Sequence, residues 1–101
     1  MTRMIVLFNL KPGVDPGAYE VWARDRDAVS VRALHSIDSF TVTRIDGAMG
    51  RESPFQYVEL IEINDMSQFE TDVATDNMTA VAAEFQEWAD DPVFIYGEEI
   101  I

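Results

Sequence analysis

Among the side chains of this 101-residue chain, one histidine and two glutamates invite a chemical reading. His35 is the only imidazole, and a group with a pKa near about 6.5 shuttles protons at neutral pH. It falls just before a β-rich run, where a surface loop histidine is the plainer reading. Glu59 alternates with Tyr57 and Ile61, whereas Glu62 alternates with Val58 and Leu60. If that strand is covered on both faces, one carboxylate points into apolar surroundings. Desolvation there raises its pKa and fits it for acid–base work. An ion pair with Arg32 or Arg44 is the structural alternative. Asn9 closes an apolar run, so its amide either orients a polar group of a ligand or caps the turn into Lys11-Pro12-Gly13. Tyr19 and Trp22, with Trp88, could stack on a flat aromatic ligand or serve as core. Arg32 carries a fork suited to a carboxylate, or pairs with one of the many acidic residues.

Other chemistries lack their parts. With no cysteine and one histidine, neither a disulfide nor a thiolate or imidazole metal site can be assembled. No calcium-type loop is present. Gly47-Ala48-Met49-Gly50 has no lysine and sits between strands, so it is no phosphate loop. Asp25-Arg26-Asp27 and Asp90-Asp91 read as charge clusters on a solvated surface. The expectation is a protein without metal or cofactor. A formal charge of −12 opposes nucleic acid and anionic membrane, both of which need a positive face. The N-terminus reads as no signal peptide, and no run approaches the roughly 20 residues of a membrane span. A cytoplasmic location is expected.

The elements that must position these residues follow from periodicity. A strand is expected from Arg3 to Asn9. Asp15-Pro16 reads as an N-cap followed by proline at the first helical position, where its missing N–H costs nothing. Tyr19, Trp22, Ala23 and Arg26 follow at helical spacing. Ala28 to Leu34 reads as a frayed helix end or a structured connection. Ile37–Ile45 and Phe55–Ile63 form two strands around a loop at 46–54. Asp65 with Gln68 resembles a capping box ahead of a helix carrying Met66, Phe69 and Val73. After an interruption at Thr75-Asp76, a stronger helix carries Met78, Val81, Ala82, Phe85 and Ala89 on one face, with Glu84 and Glu87 facing water. Asp90-Asp91-Pro92 is expected to end it, and Val93–Tyr96 to form the last strand. The order is βαββαβ: one α+β domain over residues 1–101 with a ferredoxin-like, four-stranded antiparallel sheet and both helical stretches on one face.

Met4-Ile5-Val6-Leu7-Phe8 has no polar alternation, so both of its faces need cover. One chain of this length lacks the material for that. A second copy packed sheet to sheet, forming a dimeric α+β barrel, would supply it.

The succession of segments also resembles a known family. Ile5-Val6-Leu7-Phe8-Asn9-Leu10-Lys11-Pro12-Gly13-Val14, Tyr19-Glu20-Val21-Trp22-Ala23, Val31-Arg32-Ala33-Leu34, Tyr57-Val58-Glu59 with Asn64-Asp65-Met66, and Asp72-Val73-Ala74-Thr75-Asp76 with Val81-Ala82-Ala83-Glu84-Phe85 are similar to the RedY-like/HapK family. The resemblance implies a homodimeric α+β barrel. It also implies kinship with small proteins of prodigiosin-type pigment biosynthesis, which help to make a pyrrole- or indole-derived intermediate. His35 stands where the family pattern often has proline.

These readings converge on a small-molecule site between the sheet and the first helix. Tyr19 and Trp22 would shape it, Asn9 and Arg32 would orient polar groups, and Glu59 or His35 would move protons without a cofactor. The alternatives are a non-catalytic binding, chaperone or scaffold module, and a cofactor-free monooxygenase or haem-handling protein on the same barrel.

Overall fold

The strand with apolar residues on both faces takes a central place in the sheet. In the computed structural model, which describes all 101 residues, β1 (Thr2–Leu10) pairs antiparallel with β3 (Tyr57–Ile63) on one side and β4 (Ala89–Glu98) on the other. β2 (Ile37–Arg44) pairs antiparallel with β3, so the order is β2-β3-β1-β4. This is the ferredoxin-like α+β arrangement expected from the element order.

Alternation then sorts the side chains. Val6, Phe8, Leu10, Phe40, Tyr57, Ile61 and Ile63 are buried on one face, in a single core with Tyr19, Ala23, Ala28, Val31, Met78, Val81 and Phe85 from the helices. Ile5, Leu7, Val58, Leu60, Val93 and Ile95 point to the other face, aligned as the cross-strand pairs Ile5–Leu60, Leu7–Val58, Ile5–Ile95 and Leu7–Val93. No helix covers that second face, and Leu60, Val93 and Ile95 are exposed in the single chain.

The helices start where their caps dictate. Asp15 accepts the amide of Ala18 ahead of α1 (Pro16–Trp22), which opens with proline. Asp65 accepts the amide of Gln68 ahead of α3 (Met66–Asp72). The Gln68 side chain donates to Asp72 instead of reaching back, so only half of the capping box forms. Thr75 caps α4 (Asp76–Trp88).

Four expectations are corrected. Residues 28–34 are not frayed: α2 (Ala28–Arg32) is regular helix and buries Ala28 and Val31. It continues α1 through a π-helical segment, Ala23–Asp27, in which the Ala28 amide donates to the Ala23 carbonyl five residues back. The extra residue in that turn rotates the helix phase. Asp27, expected on a solvated surface, is carried inside and is 5% exposed. The last strand begins at Ala89, not Val93. Asp90, Asp91 and Pro92 belong to it through a bulge opposite Phe8, with Asp91 at φ +47°. β4 is an edge strand, where a proline and a bulge are tolerated. Glu84, expected to face water, is half-buried and bonded.

Candidate functional site

The continuous helical stretch from α1 to α2 and the strands β2 and β3 border a cleft of about 420 Å³ lined by ten residues, six of them hydrophobic. Tyr19, Phe40 and Tyr57 give it aromatic surface, and Ala23 and Ala28 give it room on the helical side. The size lies within the range of small-molecule pockets. Val42, Glu20, Arg24, Arg32 and Arg44 complete the lining.

The polar wall is tightly bonded at one corner. Arg44 Nη1 donates to both oxygens of Glu20, at 3.0 and 2.9 Å, and Tyr57 Oη donates to Glu20 Oε2 at 2.8 Å. Those bonds, from Tyr57 first and Arg44 second, hold the Glu20 carboxyl below its usual range. Burial, and then the bond to Glu20, push the Tyr57 phenol up to about 12. Arg32 is fixed differently: its Nε and Nη2 both donate to the Phe40 carbonyl, at 3.2 and 2.8 Å.

Beneath the floor the chemistry changes. Glu59 faces Val42 across the β2–β3 ladder and lies two residues from Tyr57 on the same face of β3, and both of those neighbours line the cleft. It is 5% exposed and no hydrogen bond or cation supports its charge. Burial first, and the Asp27 charge second, push its carboxyl up to about 8. Burial, and then Glu84, raise Asp27 to about 6. The Tyr19 hydroxyl is the one fully buried side-chain polar atom with no partner, and burial with the charges of Glu59 and Asp27 pushes its pKa far up. At neutral pH a carboxyl titrating near 8 is mostly protonated and can donate or, once deprotonated, accept a proton.

The structure brings together some of the residues singled out in the sequence. Tyr19 and Arg32 line the cleft and Glu59 lies under it. Trp22 stands apart: its Nε1 donates to Glu84 at 2.8 Å, and its ring packs among Phe85, Trp88 and Tyr19. The Asn9 side chain donates to the Pro54 carbonyl at 3.0 Å and so pins the loop between β2 and β3. His35 is exposed at the start of β2, where its carbonyl accepts from Asn64. Neither Arg32 nor Arg44 pairs with Glu59. Asp27, Glu20, Arg24 and Arg44 were not singled out as ligand contacts by sequence. A trace of Asp27 does exist: the buried positions Tyr19, Ala23, Ala28 and Val31 include one step of five residues, which a regular helix cannot keep on one face. No group of three or more metal-ligating side chains comes together.

Sheet, helices and cleft define a ferredoxin-like α+β protein with a ligand-sized pocket between a helical wall and a sheet edge. Residues 2–100 match the model of the family described as REDY-like protein HapK, and the chain belongs to that family. Among solved structures it is similar to HapK from Hahella chejuensis, at 25% identity and a TM-score of 0.81, with 99% of this chain and 93% of that one covered. A dimeric ferredoxin-like protein of unknown function from Thermobifida fusca shares the fold, at 16% identity, a TM-score of 0.76, and coverage of 97% and 90%. So does SnoaB, a cofactor-independent oxygenase from Streptomyces nogalater, at 14% identity, a TM-score of 0.79, and coverage of 99% and 93%. Among curated proteins none matches the chain in sequence. No helix is long and apolar enough to cross a membrane.

Proposed function

We propose that this protein binds an apolar aromatic intermediate of secondary metabolism, pyrrole- or indole-derived, in the cleft beside Tyr19, Phe40 and Tyr57. There it promotes a cofactor-free acid–base step such as isomerisation, cyclisation or condensation. The observation that carries the reading is the pairing of an aromatic-lined cavity of about 420 Å³ with a buried, unpartnered glutamate under its floor. A purely structural carboxylate at that depth would have a cation or several hydrogen-bond donors. Glu59 is the proposed acid–base group, and Asp27 the neighbour that raises its pKa. Tyr19 and Arg32 keep their proposed roles in shaping and orienting. The proposed roles of Trp22, Asn9 and His35 have less support, because each of them lies outside the cleft lining.

The working unit is proposed to be a homodimer in the cytoplasm. The apolar stripe Ile5, Leu7, Val58, Leu60, Val93 and Ile95 supports this, as does the dimeric relative from Thermobifida fusca. The acidity of the chain argues against nucleic acid and anionic membrane as partners. Sedimentation at micromolar concentration should report two copies, and Ile95→Arg should return one.

The test of the site is a titration of isotope-labelled protein with indole, read by amide chemical shifts. Perturbations should cluster at residues 19–32 and 40–44. Val42→Trp, which fills the cleft, should abolish them while the far-UV spectrum stays unchanged. Shifts scattered over the surface, or shifts that persist in the filled variant, would sink the reading.

A further inference from the structure

The distribution of positive charge is lopsided. The chain has seven lysines and arginines against nineteen acidic residues. Of those seven, Arg24, Arg32 and Arg44 all line the one cleft, where Glu20 is the only carboxylate in the lining.

Two of these three arginines are not consumed by ion pairs. Arg3, Arg26 and Arg44 account for the side-chain salt bridges, to Glu62 and Glu99, to Glu84, and to Glu20 and Asp46. Arg24 and Arg32 pair with no carboxylate. Arg32 is tethered by the Phe40 carbonyl through two of its donors, which fixes the guanidinium at the cleft and leaves the rest of the fork uncommitted. A guanidinium is permanently charged and presents paired donors that match a planar oxyanion. Such a group, held in place beside aromatic surface and left without an anion, is built to receive one.

We propose that the ligand of this cleft is an aromatic carboxylate, its ring against Tyr19, Phe40 and Tyr57 and its carboxylate between Arg24 and Arg32. This rests on the reading of the cleft as the ligand site and adds the ligand's charge. Glu20, bonded to Arg44 on the same wall, cancels part of the positive field, so a monoanion fits better than a doubly charged phosphate. The excess of negative charge over the chain opposes anions across much of the remaining surface, which favours the cleft.

The test compares two probes of the same shape, indole-2-carboxylate and indole-2-carboxamide, titrated into the full chain and followed by amide shifts at the cleft. The acid should bind about tenfold or more tightly than the amide, as a charge-assisted paired contact warrants. Raising the salt should erode that preference. Arg32→Gln should abolish it. Arg24→Gln, which removes an exposed group with no carboxylate partner, should weaken it without the loss of a structural tether. Equal binding of acid and amide at the cleft would overturn the inference while leaving the pocket intact. A preference for the acid that survives both substitutions would also overturn it. If neither probe moves the cleft resonances, the inference falls together with the pocket.

Discussion

Glu84 and Glu59 are both glutamates near the helical layer, and their surroundings are opposite. Glu84, on α4, accepts from Trp22 Nε1 at 2.8 Å and from Arg26 Nε and Nη2 at 3.2 and 3.0 Å. The bonds from Arg26 and then Trp22 hold its carboxyl below the usual range. Glu59, on β3, is buried more deeply and has neither a donor nor a cation, and its carboxyl is pushed up to about 8. The chain thus supplies full bonding to a half-exposed carboxylate and withholds it from a buried one. Solvation alone would call for the reverse, because an exposed charge needs little help and a buried one needs much. The unfilled requirement at Glu59 lies beneath the cleft, beside Val42 and Tyr57 of its lining.

The largest test of that contrast is the pH dependence of stability. The folded-state pKa of Glu59 lies above the ordinary carboxyl value, so the folded state holds the proton more tightly than the unfolded chain. Its contribution is fully present below about pH 4.3 and is lost progressively as the pH rises through about 8, a change of roughly 3–5 kcal/mol. Glu59→Gln removes the ionisation. Urea unfolding at about pH 5 and about pH 8.5 should show the wild type losing stability between them and the variant losing much less, by a margin of that order. Parallel profiles would place Glu59 in a solvated setting and dissolve the contrast with Glu84.

Asp27 should show the same sign with a smaller amplitude. Its carboxyl is raised to about 6, so its part of the stability declines between about pH 3.9 and pH 6, by about 2–3 kcal/mol. Because the two carboxyls interact, they titrate as a pair. In Asp27→Asn the Glu59 carboxyl, observed by carbon NMR, should titrate lower than in the wild type, since one cause of its upward shift has gone. An unchanged Glu59 midpoint would leave burial as the whole cause. The Tyr19 hydroxyl is smaller again. Tyr19→Phe deletes the unpartnered buried group and should leave stability unchanged or raise it by about 1 kcal/mol in denaturant unfolding. A clear loss would reveal a bonded hydroxyl.

Most of the frame was legible because short-range chemistry decides it. Alternation put Glu59 on the face shared by Tyr57 and Ile61, and that assignment follows from period two alone. Asp15-Pro16 and Asp65 marked helix starts because their caps act within three residues. Two of the misreadings share a cause, which is one inserted residue. The π turn at Ala23–Asp27 shifts the helix phase and turns Asp27 inward, and the bulge at Asp90–Pro92 lets a strand begin before a proline. Periodicity cannot register an insertion that packing, and not local propensity, selects. Trp22 had the spacing of a cleft residue, but its ring edge found Glu84 from α4, sixty-two residues away in sequence. The arginine rim escaped notice for a similar reason, since Arg24 and Arg44 meet only when helix and strand pack.

Glu84→Gln is the smallest perturbation and the most discriminating for the contrast itself, because Glu84 bears on both clusters. It is bonded to Trp22 and Arg26, and its charge is also the second cause of the upward shift of Asp27. Neutralising it removes an ion pair, which lowers stability slightly near neutral pH, and the loss should shrink as salt screens the pair. The same change relieves Asp27 of a like charge, so the Asp27 midpoint should fall and part of the loss should be recovered. Thermal unfolding in low and high salt reads the first effect, and carbon NMR of the Asp27 carboxyl reads the second. If the midpoint stays where it is, the bonded and the unbonded carboxylates are independent systems. If it falls, the surface network sets the charge state of the interior, and a ligand anion seated at the arginine rim would be expected to act on the buried pair in the opposite sense to losing Glu84, raising both midpoints by its own negative charge.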